Sequence, residues 1–397
     1  MKILYIHQYF NTPEMPGSTR SYEFALRLAK EGNLVYMVTS NWQNQTFSIN
    51  VKNLKVFSSP IKYSNKMNKV QKLFSFFSFS IFTLFTARKL KFDLIFATST
   101  PLTVGIPALI YKRCRNVKLI FEVRDLWPQL PIAMGFIKSN FLIKIIKKFE
   151  RKIYEESNKI IALSIGIKSE ISNIISNNDK IEVIANMSDI NLFNIKRNVG
   201  TKFKKNTLKI KDEPLIVYTG AFGRINNANY LVEIAKESKK KGRNYKFLLA
   251  GNGYQKKEII ENAIESQLLN YNLYVFDYFK KNQVPEIMSA ATIATSLFID
   301  LPEMRNNSAN KFFDGLAAGK PIMINYGGWQ SDLLIESGAG FVVSNYNYKK
   351  AFSVIDSIIS EKNQLKKMSK ASKLLAEKFS VNSSCNKLIK IVKELDE

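Results

Sequence analysis

Histidine is nearly missing from this chain: 397 residues contain only His7. One imidazole leaves little room for a histidine-based zinc site or a Ser-His-Asp triad. Cysteine is almost as scarce. Cys114 and Cys385 lie far apart, fit no metal-ligand spacing, and read as reduced structural thiols of a cytoplasmic protein. Acidic residues are also in short supply, with 33 Asp and Glu against 59 Lys and Arg, a formal net charge of +26. There is no Asp-x-Asp metal motif, so the expectation is chemistry without a metal or cofactor. Zinc-finger, RNP-like and helix-turn-helix signatures are lacking too, which argues against a nucleic-acid partner despite the basic balance. No long polar tract suggests a disordered tail. The start, MKILYIHQYF, is too short and too polar at its end for a secretory signal and reads as a buried first strand.

What is present suits two folded domains. The length exceeds one ordinary core, and 46% hydrophobic residues are ample for two. The basic excess is spread over both halves. A bias of composition towards Lys, Asn and Ile accounts for much of it, and attraction to a polyphosphate substrate or an anionic membrane surface is the functional reading.

Short apolar runs alternate with helical patterns along the whole chain. Strands are expected at Lys2–Ile6, Leu34–Thr39, Phe92–Ala97, Lys118–Val123, Ile160–Leu163 and Ile181–Ile184. A second series follows at Leu215–Thr219, Phe247–Ala250, Leu273–Phe276, Ile293–Ser296, Ile322–Asn325 and Phe341–Val343. Strand-helix alternation predicts an α/β fold of two doubly wound, Rossmann-like domains facing a cleft. The expected division is 1–190, a polar lysine-rich linker at 191–213, 214–375, and a final helix at 376–397.

The segment SANKFFDGLAAGKP, Ser308 to Pro321, carries the most chemistry. Ser308 is placed to cap a helix whose apolar face is Phe312, Phe313, Leu316 and Ala317, with Gly319 and Pro321 ending it. A helix start bearing Asn310 and Lys311 offers free N–H groups and an ammonium to an anion. Asp314, one turn on, is placed to accept hydrogen bonds from ribose hydroxyls. An ordinary capped helix fits the same spacing. Glycines after the first strand of each half, Gly17-Ser18-Thr19-Arg20 and Gly220-Ala221-Phe222-Gly223-Arg224, would let backbone approach a phosphate, as would Gly251 in FLLAGNG. Plain turns are the alternative. The segment FEVRDLWP closes a predicted strand with Glu122, Arg124, Asp125 and Trp127. An acid there could orient or deprotonate a hydroxyl; a strand-end salt bridge is the other reading.

These segments together resemble the family 4 glycosyltransferases, which share the two-domain GT-B fold, and especially the subgroup of N-acetyl-fucosamine transferases that build lipid-linked bacterial surface glycans. The resemblance covers nearly the whole chain. It implies retention of anomeric configuration, a UDP-sugar donor and a polyprenyl-diphosphate-linked acceptor. By the same resemblance, Gly17, Ser18, Arg20, Gly220, Gly223, Arg224, Gly251, Asn310, Lys311 and Asp314 contact the donor. Asp125, Glu122 and His7 are the catalytic candidates, and Arg124 and Trp127 contact the acceptor. Two departures stand out. The first acid of the family's Glu-x7-Glu pair falls on Asn306, and the His-Asp of several members is Arg124-Asp125 here. A nucleotide-sugar epimerase of the same fold and a non-enzymatic polyanion-binding protein are the rival readings.

Two segments bear on a membrane. Leu73–Ala87 carries no charge and six phenylalanines, is shorter than the roughly 20 residues of a bilayer span, and is flanked by Lys69, Lys72, Arg88, Lys89 and Lys91. Lys138–Lys152 mixes apolar and basic residues at helical spacing. Both suit peripheral attachment to the inner face of the cytoplasmic membrane; helices packed on the sheet are the alternative.

Overall fold

Two all-parallel sheets, one per half of the chain, organise the molecule in this computed structural model, which describes residues 1–40, 49, 51–64 and 67–397. The first sheet contains β1 (Lys2–Ile6), β2 (Leu34–Ser40), β3 (Leu54–Ser59), β4 (Leu94–Thr98), β5 (Lys118–Val123), β6 (Lys159–Ala162) and β7 (Ile181–Val183). Its order is β3-β2-β1-β4-β5-β6-β7. Between the strands run α1 (Arg20–Lys30), α2 (Lys69–Arg88), α3 (Gly105–Arg115), α4 (Gln129–Ala133), α5 (Asn140–Glu156) and α6 (Ile165–Ser172). After α7 (Ile190–Phe193) and α8 (Arg197–Phe203) comes the second sheet: β8 (Leu215–Thr219), β9 (Lys246–Ala250), β10 (Leu273–Phe276), β11 (Ile293–Ser296), β12 (Ile322–Ile324) and β13 (Gly340–Val342). Its order is β10-β9-β8-β11-β12-β13. The helices of this half are α9 (Tyr230–Lys240), α10 (Lys256–Glu265), α11 (Val284–Ala290), α12 (Asn310–Ala317), α13 (Trp329–Ser337), α14 (Tyr348–Ser360), α15 (Lys362–Lys378) and α16 (Val381–Glu394).

The strands read as near-continuous apolar runs because helices cover both faces of each sheet. In β1 the period of two sends Leu4 and Ile6 into the core under α3 and α5, and Ile3 and Tyr5 into the core under α1. Strand order reverses between β1 and β4 and again between β8 and β11, so each sheet opens a crevice at its strand C-termini. The two crevices face each other. The edge strand β3 was not foreseen; LKVFSS, with a lysine and two serines, carries little apolar signal.

Two expectations about the connections need correcting. The stretch 191–213 is no free linker: Phe193, Phe203, Leu208 and Ile210 are buried in the second domain's core. Gly200 there lies so close to α11 that a Cβ would come within 2.4 Å of the Ala290 amide nitrogen. Nor does the chain leave the second domain at 376, since Leu375 and Ala376 of α15 still pack in its core. The two crossings between domains run side by side. Ser188 N donates to the Phe379 carbonyl (3.1 Å) and Val381 N to the Ser188 carbonyl (3.2 Å). Beyond them α16 crosses back, burying Cys385, Leu388, Ile391 and Val392 against Phe24 and Leu28 of α1.

Helix α2 is turned inside out. Its small polar residues Ser75, Ser80 and Thr83 face inward with Phe76, Phe79 and Ala87. Their hydroxyls are satisfied locally: Thr83 Oγ1 donates to the Phe79 carbonyl (2.8 Å) and Ser80 Oγ to the Thr103 carbonyl (2.9 Å). The opposite stripe, Val70, Leu73, Phe74, Phe77, Ile81 and Phe85, is exposed, Phe74 by 74%. By length and apolarity it is the one helix among the described residues that could cross a bilayer.

Candidate active site

The facing crevices enclose a cavity of about 730 Å³, lined by both halves of the chain. From the second half, α12 points its N-terminus into it, and Asn310, Lys311 and Asp314 line the wall. The helix ends as its sequence predicts. Gly319 takes a positive φ of 63°, with Gly319 N bonded to the Leu316 carbonyl and Lys320 N to the Gly315 carbonyl. Its start differs. The N-cap is Ala309, without a side-chain cap bond, because Ser308 is occupied with the other domain: its Oγ accepts from Asn186 N at 3.0 Å.

Lys311 is the electrostatic centre of this wall. Its Nζ donates to Tyr218 Oη (3.4 Å), Asn226 Oδ1 (3.3 Å) and the Leu297 carbonyl (3.4 Å), and it lies over the Tyr218 and Phe298 rings. No acid among the described residues pairs with it. Burial alone pushes its ammonium down to about 7. A buried cation without a counter-ion, beside a helix N-terminus, is a site prepared for an anion. Asp314 sits one turn on, and its carboxylate is already engaged. Lys281 Nζ chelates both oxygens (2.5 and 2.6 Å) and Ser188 Oγ donates to Oδ1 (2.8 Å). Of the roughly four lone-pair directions of a carboxylate, one on Oδ2 stays open for a ligand hydroxyl.

The first domain supplies the opposite wall. Gly17 and Ser18 line the cavity, Gly17 at φ 114°, a value that suits glycine. Ser18 Oγ donates to Asn310 Oδ1 across the gap (3.3 Å) and accepts from Arg124 Nη2 (3.3 Å). Arg124 Nη1 donates to His7 Nε2 at 3.3 Å. Burial and the adjacent guanidinium hold His7 well below the usual histidine range, so the ring is neutral. Asp125 also lines the cavity, and its Oδ2 accepts from Thr100 Oγ1 (3.1 Å). Gly220 completes the group of expected residues that reach the cavity.

Other expected contacts are corrected by the geometry. Glu122 is fully buried below the floor, accepting from Arg20 Nε (2.8 Å) and Thr98 Oγ1 (2.6 Å). The remaining nitrogens of Arg20 serve the Ala185 and Ile184 carbonyls. These two residues form a closed structural pair, so neither is free for catalysis or donor binding. His7 is equally enclosed and acts on Arg124 instead of on a substrate. Trp127 packs against the first domain's core and does not line the cavity. Arg224 is exposed outside the cavity, because the turn at Arg224–Asn226 directs Asn226 inward to Lys311. Gly223 precedes that turn and lies outside the lining. Gly251 has a packing role: a Cβ there would come within 1.8 Å of the Gly220 carbonyl oxygen.

Sequence reasoning missed Lys281, Ser188, Asn186, Asn226 and Tyr218. None sits in a motif: β8 and the turn after it deliver Tyr218 and Asn226, the turn after β10 delivers Lys281, and the domain crossing delivers Asn186 and Ser188.

Residues 17–192 match the family model described as Glycosyltransferase Family 4, and residues 200–375 match Glycosyl transferases group 1. Alpha-D-kanosaminyltransferase from Streptomyces kanamyceticus is 19% identical over 187 residues, about half (47%) of either chain. The fold superposes on sucrose-phosphate synthase from Thermosynechococcus elongatus with a TM-score of 0.80 at 15% identity, covering 99% of this chain and 98% of that one. It also superposes on the Anabaena protein HepE in complex with UDP, with a TM-score of 0.73 at 14% identity, covering 99% and 100%. A family 4 domain followed by a group 1 domain, each a Rossmann-like layer on one side of a shared cavity, makes this chain a glycosyltransferase of the GT-B fold.

Proposed function

We propose that the enzyme transfers a sugar, an N-acetylhexosamine or its deoxy derivative, from a UDP-sugar to a polyprenyl-diphosphate-linked acceptor, with retention of configuration, at the inner face of the cytoplasmic membrane. Its product would be a precursor of a bacterial surface polysaccharide, as in the N-acetyl-fucosamine transferase subgroup. The observation that carries the donor half is Lys311, a buried ammonium with no acid beside it among the described residues, opening on the cavity at a helix N-terminus. A diphosphate supplies the missing charge. Asp314 and Lys281 then hold the ribose side. HepE, of the same fold, is known with UDP bound.

Asp125 is the acid that meets the acceptor hydroxyl. As the hydroxyl oxygen bonds to the anomeric carbon, the bond to the β-phosphate breaks and the hydroxyl proton passes to the departing phosphate oxygen. Lys311 and the α12 amides stabilise that charge, and no paired carboxylates of glycosidase type are needed.

The exposed stripe of α2 supports the membrane half. Lys69, Lys72, Arg88 and Lys89 flank it, and exposed Phe141, Leu142 and Ile145 of α5 stand among further lysines. Aromatics outward with basic flanks match an anionic bilayer surface, where each buried side chain gains on the order of 1–2 kcal/mol.

The test is to incubate purified protein with a panel of nucleotide sugars and a lipid-diphosphate acceptor, reading products by mass. One added sugar with UDP release is expected. Consumption of nucleotide sugar without any acceptor would instead identify an epimerase or hydrolase. Asp125→Asn, which weakens the hydrogen bond that orients the acceptor hydroxyl, should lower turnover by about ten- to a hundredfold while UDP affinity holds.

A further inference from the structure

Lys311 stands between two aromatic rings, its Nζ lying 4.7 Å from the Tyr218 centroid and 4.6 Å from that of Phe298. Tyr218 belongs to β8, so the sheet fixes it. Phe298 lies just past the end of β11, outside the ladder. Three asparagine side chains grip it instead. Phe298 N donates to Asn325 Oδ1 (3.0 Å), and its carbonyl accepts from Asn345 Nδ2 (3.2 Å) and Asn227 Nδ2 (3.5 Å). Asn345 Oδ1 in turn accepts from Asn325 Nδ2 (3.1 Å) and Asn227 Nδ2 (3.3 Å). A backbone N–H only donates and a carbonyl only accepts, so this closed circuit fixes which way each amide faces.

Asn227, Phe298, Asn325 and Asn345 follow β8, β11, β12 and β13, which are consecutive neighbours in the sheet. The circuit thus ties together the C-terminal ends of these strands. Phe298 lines the cavity, whereas the three asparagines do not. The same loop carries the Leu297 carbonyl, and the residue before Asn227 is Asn226; both accept from Lys311 Nζ, at 3.4 and 3.3 Å. One amide clip therefore sets a ring and two acceptors around a single ammonium.

We propose that Asn345 is a positioning residue of the donor site: with Asn227 and Asn325 it holds Phe298 on Lys311 and keeps water off the ammonium until an anion arrives. This rests on the reading of Lys311 as the diphosphate-binding cation and adds how that cation is kept ready. The charged groups around it are engaged elsewhere. Asp314 is bound by Lys281, Asp300 by Tyr346 Oη (3.0 Å) and Arg305 Nη2 (3.7 Å), and on the opposite wall Asp125 is bound by Thr100 and Arg124 by His7 and Ser18. Tyr218 is neutral, because burial pushes its phenol up. Access of water, which Phe298 controls, is then what sets the charge of Lys311.

The test measures UDP affinity of the full-length enzyme by calorimetry between about pH 6.5 and 9, a range that brackets the buried and the wetted lysine. In the wild type, with Lys311 at about 7, affinity should begin to fall near pH 7. Asn345→Ala should bind UDP about three- to tenfold more weakly at the acid end. Its decline should begin about one pH unit or more higher, because a wetted ammonium moves towards the ordinary lysine value. The two curves then converge at the alkaline end, which a general loss of stability would not produce. Phe298→Leu should displace the onset in the same way. Asn227→Gly, which keeps the left-handed turn at φ 45° and deletes one donor to the Phe298 carbonyl, should move it in the same direction but less. Should Asn345→Ala fail to fold, Asn227→Gly carries the test. An unchanged onset in the folded asparagine variants, or a displacement that Phe298→Leu does not reproduce, overturns this inference and leaves Lys311 as the donor cation. A wild type that binds no UDP at any pH overturns the Lys311 reading itself.

Discussion

At the residue scale, two cations illustrate how burial assigns roles. Arg20 and Lys311 both lie close to the junction of the lobes, but only Arg20 has a full set of partners. Removing one member of its pair with Glu122 would strand a buried charge at a cost of about 3–5 kcal/mol, which makes the pair a structural element. Lys311 is left with neutral neighbours, and this has a pH signature. Its pKa is about 7 in the free protein and near the ordinary lysine value when unfolded. The unfolded chain therefore binds more protons above pH 7, and the Lys311 contribution to stability rises with pH from that point. Ligand binding runs the other way, because an anion prefers the charged ammonium. UDP affinity, measured by calorimetry, should fall as pH rises from 7 to 8.5, with proton uptake on binding. Lys311→Met should bind weakly and lose that dependence, and an unchanged pH profile would refute the assignment. The placing of Lys311 and Asp314 one turn apart on the same helix was legible from spacing. The partners that distinguish the two residues, Lys281 and Tyr218, were not, since they lie 33 and 93 positions away.

At the element scale, α2 separates what a hydrophobic run says from what it does. Its composition was obvious from the sequence; its orientation was not, because serines and phenylalanines alternate through the helix without a clean apolar face. The inward serines and threonine satisfy their hydroxyls on nearby carbonyls, which lets them be buried at little cost. The outward aromatics are then surplus to the fold. Substituting Phe74, Phe77 and Phe85 together by serine should leave the melting temperature within a few degrees. The same protein should lose sedimentation with vesicles containing anionic phospholipid. Phe79→Ala, on the buried face, should instead cost about 3–5 kcal/mol. A triple variant as unstable as Phe79→Ala would mean that the stripe packs inside the protein.

At the scale of the whole molecule, the C-terminal helix is the device that ties the lobes together. Leu388, Ile391 and Val392 belong to the core of the first domain although they are the last apolar residues but one of a chain that has just built the second. Leu388→Ala should therefore destabilise the first domain by about 2–5 kcal/mol. Hydrogen exchange should show protection lost in α1, β1 and β2 and kept in β8 to β13; the reverse pattern would contradict this packing. Much of this architecture was written locally. Alternating apolar runs and helical periods determined the α/β class, the number of domains and most strand positions, because burial on two faces demands continuous apolar strands whatever the partner. The cavity-lining helix α12 was likewise readable, since its stop and its charged first turns are neighbours in the chain. Only the tertiary structure decided which of the flagged charges face the cavity. Arg20, Glu122, Arg124 and Asp125 are alike in sequence, yet strand pleat and the domain crossing enclose the first two and expose the others to the cleft. Charge type is a property of the residue, whereas solvation and partnership, which set its chemistry, belong to the packed molecule.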